Sequence, residues 1–310
     1  MSAVMNAFSN KPVQPAAESP PANMDAKPEP AEAERRIGAE SGKDKKSRVK
    51  LSLRPFFLAL LPPVLGIALL VLVWEIVSMK SSGFPSPLVT LKEAIIIFSD
   101  PFYQKGPNDQ GIGWNILASL KRVAVGFGLA AAIGIPLGFL IGRFRFLSDM
   151  FNPIISLLKP VSPLAWLPIG LLVFKAANPA SIWAIFICSI WPMIINTAVG
   201  VQRVPQDYMN VARVLNLSEW KILTKILFPS VLPYMLTGVR LSIGTAWLVI
   251  VAAEMLTGGV GIGFWVWDEW NNLNVPHIII AIFAIGVVGL LLEQGLVAVA
   301  RAFTYEEVRN

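Results

Sequence analysis

The sequence is poor in the residues that most enzyme chemistry uses. It has a single cysteine, Cys188, and a single histidine, His277, among 310 residues. No disulfide can form within the chain, and so small a supply argues against a His/Cys metal cluster or a catalytic Cys–His pair. Charged residues make up only 15% of the chain, against about 25% in a typical soluble protein. These scarcities argue against a soluble enzyme.

Apolar residues are abundant instead, at 55% of the chain, and the mean hydropathy is +0.61. They are concentrated in blocks long enough to cross a hydrocarbon layer of about 30 Å. Prolines inside the blocks predict kinked or broken helices. We therefore predict an all-α integral membrane protein of about six transmembrane helices, with spans at 55–79, 123–142, 150–174, 180–201, 230–257 and 277–300.

The basic residues predict the orientation of the spans. Residues 1–50 are rich in Ala, Pro, Glu and Lys, and we expect them to form a disordered cytoplasmic tail ahead of the transmembrane domain, 51–310. With that tail inside, Lys and Arg are more than twice as frequent per residue in the predicted cytoplasmic segments as in the external ones. This bias predicts that both termini are cytoplasmic.

Two features are predicted for the external side. The loop 80–122 contains an apolar-rich stretch, 88–98, that predicts a short helix lying at the surface. Trp265, Trp267 and Trp270 lie near the start of the last span, where tryptophan is typical of a membrane–water interface.

The long internal loop, 202–229, predicts two short helices joined by a turn. Apolar residues at helical spacing form one stripe, after which residues 216–218 break the pattern. Ser218 is a suitable N-cap and Glu219 complements the helix dipole, so a second helix is expected at 219–227, closed by Pro229. The stripe consists of Tyr208, Val211, Ala212 and Leu215.

The pattern alone leaves three interpretations of this loop open. A soluble partner protein would bind the projecting helix pair, or the pair would rest on the membrane surface as an amphipathic hairpin. A nucleic-acid-binding helix-turn-helix is the weakest interpretation, because only Arg213, Lys221 and Lys225 are placed to meet phosphate. We expect no nucleic-acid partner.

The same loop resembles the cytoplasmic EAA loop of ABC importer permeases. That motif is Glu-Ala-Ala, three residues, Gly, nine residues, then Ile-x-Leu-Pro. Ala212, Ile226 and Pro229 match it at the complete spacing. Asn210 replaces the Glu, which puts any charge contact of that position in doubt. Asn216 replaces the Gly and is able to adopt the left-handed conformation that glycine supplies.

The resemblance extends over about 114–300 and favours the nitrate/sulfonate/taurine/bicarbonate branch of these permeases, with nitrate permeases closest. The segments that carry it are 119–123, 158–168, 190–192, 205–215, 232–240, 259–263 and 265–270. It implies a multi-pass protein of the bacterial inner membrane that moves a small anion inward, and we expect that anion to be nitrate or nitrite. Bicarbonate, cyanate and taurine or another sulfonate are the alternatives.

The resemblance also implies partners. Two permease copies, expected to be a homodimer in membrane lipid, would pair around a pathway. Two cytoplasmic ATPases would dock on the internal loops, and an extracytoplasmic binding protein or lipoprotein would deliver the anion. The sequence has no Gly-x-x-x-x-Gly-Lys-Ser/Thr loop, so the chain is not expected to be an enzyme or to bind a cofactor; ATP and Mg would lie on the partners. The implied coupling residues are Asn210, Ala212, Arg213, Leu215, Asn216, Leu217, Ser218, Glu219, Trp220 and Pro229.

Polar residues within the spans are candidates for the anion pathway. Lys159 and Arg240 would give the pathway a weak positive field, whereas the structural alternative pairs Arg240 with Glu293 or a loop carbonyl. Ser162, Asn196 and Thr245 offer neutral hydrogen bonds, although such residues more often join helices. Trp166 and Trp191 are candidates for a hydrophobic gate, with ordinary packing as the alternative.

A secondary transporter or channel is the competing class of function. It predicts inverted repeats and coupling carboxylates near the middle of the membrane. No repeat is evident, and Glu254 and Glu293 lie toward the ends of their predicted spans. That class also gives no role to the internal helix pair.

Overall fold

The computed structural model describes residues 53–81, 83–107 and 109–303, with side chains from residue 61 to residue 300. The predicted tail, 1–50, lies outside the described residues. The chain divides into two units, Met1–Pro62 and Pro63–Asn310. Of the first unit, only the beginning of a helix is described; the second unit contains all the features discussed below.

Helices make up most of the described chain, which confirms the predicted all-α membrane fold. In chain order they are α1 (Leu53–Lys80), α2 (Pro87–Ser99), α3 (Ile112–Arg143), α4 (Arg145–Leu158), α5 (Pro163–Phe174), α6 (Ala177–Gln202), α7 (Gln206–Val214), α8 (Glu219–Ile222), α9 (Phe228–Thr257), α10 (Ile262–Asn271) and α11 (Val275–Phe303).

Among the described residues, five helical stretches are long and apolar enough to cross a membrane, and α4 with α5 would make a sixth. The predicted span 150–174 is divided between two helices, because α4 and α5 meet at a bend of 99°. Pro160 lies in the break, and Pro163 occupies the first turn of α5, where its missing N–H costs nothing. The expectation that prolines break the spans is therefore confirmed here. At Pro136 and Pro192 the helices continue.

The helix that contains the predicted second span, 123–142, begins eleven residues before that span. Helix α3 begins at Ile112, so the last part of the predicted external loop is helical. Lys121 and Arg122 gave this stretch the appearance of a loop. The side chain of Arg122 is in fact largely buried in an ion pair within the bundle.

The short helix predicted at 88–98 is present as α2. Ser86 caps it by accepting a hydrogen bond from the N–H of Val89 at 3.4 Å, and Pro87 occupies its first turn. Thr90 is buried, and α2 packs against α11. The described side chains of α1 are mostly exposed, and Trp74 anchors it by donating to the carbonyl of Pro85 at 3.0 Å.

Helix α6 is the centre of the bundle and packs against both α3 and α9. Glycines spaced along α3 let the two backbones approach closely. A Cβ atom on Gly138 would lie 2.7 Å from Cβ of Thr197 and 2.8 Å from the carbonyl oxygen of Ile194. Gly126 and Gly142 make equally close approaches to α6. Small residues at helix contacts are typical of membrane bundles, where close packing drives association.

The second predicted helix of the internal loop does not end at Pro229. Helix α8 continues through a π-helical turn, Leu223–Leu227, into α9, so that Glu219–Thr257 is one helical stretch of 39 residues. In the wider turn the N–H of Phe228 donates to the carbonyl of Leu223. Pro229 then falls in the first turn of α9 and needs no hydrogen bond there.

Candidate functional site

Residues 203–227, which we call the elbow, form a tight connection between α6 and α9. Asn216 has φ +47°, the left-handed conformation that its position in the motif predicts. The N–H of Leu217 donates to the carbonyl of Ala212 at 3.0 Å, which closes α7. Ser218 then caps α8 by accepting from the N–H of Lys221 at 3.4 Å, as predicted. The turn is therefore specified by its own residues.

One side of the elbow is buried against the bundle. Met209, Ala212 and Ile222 are buried, and they form an apolar cluster with residues of α6 and α9. Ile135 and Phe139 of α3 pack against this cluster, as does Leu217 from the turn. A displacement of the elbow would therefore be transmitted directly to three long helices.

The other side of the elbow is apolar and exposed. Leu215 is 63% exposed, Trp220 is 72% exposed and Val214 is 81% exposed, with Tyr208 and Val211 beside them on α7. The predicted stripe thus faces away from the bundle, except for Ala212, which is buried at its base. An exposed group of large apolar residues is typical of a surface that a partner covers.

Two polar contacts brace the elbow. Asn210, at the position of the motif's Glu, accepts a hydrogen bond from Nη1 of Arg213 at 3.1 Å, so its contact remains within α7. Nη2 of Arg143, at the end of α3, donates to Glu219 at 3.3 Å. The second contact ties α3 to the start of α8. Both contacts lie at the surface, where such pairs stabilise by at most about 1 kcal/mol.

Arg240 and Glu293 form an ion pair between α9 and α11, as the structural alternative predicted. Nε of Arg240 donates to Oε1 of Glu293 at 2.9 Å, and Nη2 donates to the same oxygen. The pair is not enclosed, because the Arg240 side chain is 56% exposed and that of Glu293 is 45% exposed. It therefore lies on an open face of the described bundle.

The remaining pathway candidates have contacts of their own. Lys159 and Ser162 are exposed at the bend between α4 and α5. Asn196 donates to the carbonyl of Pro192 at 2.8 Å, and Thr245 donates to the carbonyl of Leu241 at 3.0 Å, so each polar group bonds its own helix. Trp166 and Trp191 are half-buried and pack against the apolar core; this arrangement agrees with ordinary packing.

The sequence prediction missed a buried polar cluster at the end of the bundle opposite the elbow, which we call the carboxylate cluster: Asn115, Ser119, Arg122 and Glu254. Glu254 is 1% exposed. Its carboxylate accepts from Nη1 of Arg122 at 2.6 Å and from the hydroxyl of Ser119 at 2.8 Å. Arg122 also donates to the carbonyl of Val260 and to Asn178 of α6, both at 2.7 Å.

The carboxylate cluster holds the glycine-rich loop before α10. Three successive backbone N–H groups, of Gly261, Ile262 and Gly263, donate to Asn115, Ser119 and Glu254 at 2.9, 3.0 and 3.0 Å. A Cβ on Gly261 would overlap the carboxylate of Glu254. The N-terminus of α10 is thus capped by side chains of two other helices, and its dipole favours the negative charge. The Gly-x-Gly-x-Gly spacing at 259–263 was the available sequence signal.

The predicted tryptophan belt is only partly correct. Trp267 and Trp270 are exposed on α10, as the prediction requires. Trp265 is buried, and its ring stacks on that of His277 with the centroids 5.9 Å apart. It lies on the opposite face of the short helix and therefore packs inside the bundle.

Comparison with known proteins decides the family. The model of the binding-protein-dependent transport system inner membrane component matches residues 134–304, more than half of the chain. The chain belongs to this family. The matched region includes the elbow, Arg240, Glu254 and Glu293. The chain is accordingly the permease component of an ABC transporter, and the family places it in a membrane.

Two relatives from Synechocystis sp. are informative. The chain is 51% identical over 233 residues to the nitrate import permease protein NrtB, covering 75% of this chain and 85% of the relative. It is 47% identical over 243 residues to the bicarbonate transport system permease protein CmpB, covering 76% and 86%. The family member therefore falls in the nitrate/bicarbonate branch, as its sequence predicted.

Among solved structures, the fold resembles a chain of the MetNI methionine ABC transporter in an inward-facing conformation. The TM-score is 0.54 at 15% identity, and the match covers 62% of this chain and 95% of that one. At this identity the likeness shows the shared permease fold.

Proposed function

We propose that this permease carries nitrate into the cytoplasm, powered by ATP hydrolysis on partner subunits. Two relatives called nitrate import permease are 51% and 48% identical to the chain, two CmpB relatives are 47% and 44% identical, and a third nitrate import permease is 43% identical. The two highest of these identities favour nitrate over bicarbonate. The anion would come from an extracytoplasmic binding protein or lipoprotein. ATP and Mg would be held by two ATPase subunits, with none held by this chain.

The observation that carries the proposal is the two-sided construction of the elbow. Its exposed side presents Leu215 and Trp220, and its buried side joins α3, α6 and α9. An ATPase that closed on the exposed side would move the ends of those helices together. In this arrangement the elbow, both termini and the ATPases are cytoplasmic, and the carboxylate cluster lies on the external side. A second copy of the chain would complete the pathway.

The docking role predicts a loss of bound ATPase when the elbow surface is made acidic. Leu215→Asp combined with Trp220→Asp should weaken retention of the ATPase by about 30-fold, which corresponds to about 2 kcal/mol for a lost apolar anchor. Both side chains are exposed, so the permease itself should still fold. The measurement is co-purification of the ATPase with the full-length permease in mild detergent, with the melting temperature of the permease measured in parallel.

Leu273→Asp supplies the matched control. Leu273 is also largely exposed, but it follows α10 at the opposite end of the bundle. The control should retain the ATPase at the wild-type level. Equal retention by the elbow variant would reject docking at this surface. Transport by the permease alone, in liposomes with an ion gradient and no ATPase, would favour the secondary-transporter class instead.

The choice of anion has its own test. Cells that lack their own nitrate and bicarbonate uptake systems, and that express the complete transporter, should accumulate ¹⁵N-nitrate and not ¹⁴C-bicarbonate. A catalytically dead ATPase subunit should abolish the accumulation. Accumulation of bicarbonate alone would move the permease to the bicarbonate group without changing its family or the role of its elbow.

A further inference from the structure

The Arg240–Glu293 ion pair lies deep along the two helices that carry it. Arg240 precedes Thr257, the end of α9, by 17 residues, and Glu293 follows Val275, the start of α11, by 18 residues. At 1.5 Å per residue both lie about 26 Å from the end opposite the elbow. Both helices, of 30 and 29 residues, are about 45 Å long. A hydrocarbon layer of about 30 Å centred on them would place the pair about 10 Å inside its boundary nearer the elbow.

Charged groups at this depth are expensive to expose to lipid. Both members of the pair are nonetheless half-exposed on the described surface. Thr237 is exposed one helical turn before Arg240, and a Cβ on Gly244, one turn after it, would meet nothing within 4 Å. Leu241 and Leu248 are also exposed along this side of α9, so the polar groups form a short patch around Arg240. We expect water or a second copy of the chain to border that patch instead of acyl chains.

The geometry of the pair matches the chemistry of the proposed cargo. A guanidinium binds oxyanions, carboxylates and phosphates among them, through two N–H donors that lie in one plane. The carboxylate of Glu293 is such an acceptor, and nitrate and bicarbonate are planar oxyanions of similar size and equal charge. Glu293 now accepts hydrogen bonds from Nε and Nη2 of Arg240. Nitrate or bicarbonate could accept the same two hydrogen bonds in its place.

We propose that Arg240 is a transient binding site for a planar oxyanion and that Glu293 is its internal competitor. This inference rests on the proposed function, and it places an anion-binding site in the cytoplasmic half of the pathway. The carboxylate occupies the guanidinium when the anion is absent and displaces the anion as it leaves. Arg240 thus keeps an anionic partner throughout, and the displaced carboxylate of Glu293, which is 45% exposed, is solvated by water while the anion is bound.

The test uses accessibility of a cysteine beside the pair. Cys188 is the only native cysteine and is buried, so Thr237→Cys adds a single reactive thiol. The assembled transporter is treated with a water-soluble methanethiosulfonate reagent, and the labelling rate is measured with nitrate, bicarbonate or chloride at equal ionic strength. Nitrate or bicarbonate should slow the labelling more than chloride, which has no pair of oxygens to accept from two N–H donors. Arg240→Gln should abolish the protection.

Variants of the pair separate the competitor from the site. Glu293→Gln removes the competing charge at nearly constant shape, so it should lower the nitrate concentration for half-maximal protection by about two- to fivefold, the worth of an exposed ion pair. Arg240→Lys keeps the charge but loses the fixed pair of N–H donors, and it should lose the preference for nitrate and bicarbonate over chloride. This variant covers the case in which Arg240→Gln fails to assemble.

Three results would overturn the inference. They are a thiol that does not react in the assembled transporter, protection that survives in both Arg240 variants, and a half-maximal nitrate concentration that Glu293→Gln leaves unchanged. ATPase co-purification from the same sample reports on the proposed function separately. A transporter that retains its ATPase but shows any of these results would reject the anion site alone.

Discussion

Glu254→Ala is expected to lower the free energy of unfolding by about 3–5 kcal/mol, because it leaves a buried charge without its partner. Arg122 would keep its guanidinium largely buried, with a side chain only 13% exposed, but without the carboxylate. The hydroxyl of Ser119 and the N–H of Gly263 would lose the same acceptor. The fall should appear as a large drop in the melting temperature of the detergent-solubilised permease.

Three comparisons make the Glu254 prediction specific. Glu254→Gln keeps the shape and part of the hydrogen bonding, so it should melt between wild type and Glu254→Ala. Exchanging the charges, with Arg122→Glu and Glu254→Arg, should not rescue stability, because the N–H of Gly263 requires an acceptor at position 254. Asp268→Ala, at an exposed carboxylate on α10, should melt as wild type does. A Glu254→Ala protein as stable as this control would contradict the prediction.

The elbow could be predicted from the sequence because its determinants are local. Asn216 and Ser218 act on backbone groups within a few residues, and the motif spacing fixes where the turn falls. The same holds for α2, which Ser86 and Pro87 begin. Local rules do not specify which face of α7 the rest of the protein covers, so the exposure of the apolar stripe became visible only in the folded chain.

The carboxylate cluster could not be predicted because its partners are distant in sequence. Arg122 and Glu254 are separated by 132 residues, and Ser119 and Glu254 by 135. In the sequence, two adjacent charged residues, Lys121 and Arg122, are typical of an external loop, and the predicted span was therefore begun after them. Only the folded chain shows that Arg122 has a buried partner. The ion pair of Arg240 with Glu293 could be named from the sequence as an alternative, because both residues lie inside apolar blocks where a charge requires a partner.

The second large effect is expected from the contact between α3 and α6. Gly138→Leu should abolish the folded permease, because a Cβ at this position already lies 2.7 Å from Cβ of Thr197 and 2.8 Å from the backbone oxygen of Ile194. A backbone oxygen in a packed helix cannot rotate aside as a side chain can. Gly138→Ala, with the Cβ alone, should lower stability by about 1–3 kcal/mol through overpacking. Monodispersity and melting temperature in detergent measure both effects.

Gly128 offers the matched control on the same helix. It is exposed, and a Cβ there would meet nothing within 4 Å. Gly128→Ala should leave the melting temperature unchanged or raise it slightly, since alanine is favoured over glycine in a helix by about 1 kcal/mol. Gly128→Leu should still fold, because its side chain would project from the packed face. The two positions share a helix and a residue type, so opposite outcomes would assign the effect to the α3–α6 contact. Equal melting temperatures of Gly128→Leu and Gly138→Leu would show that this contact does not limit stability.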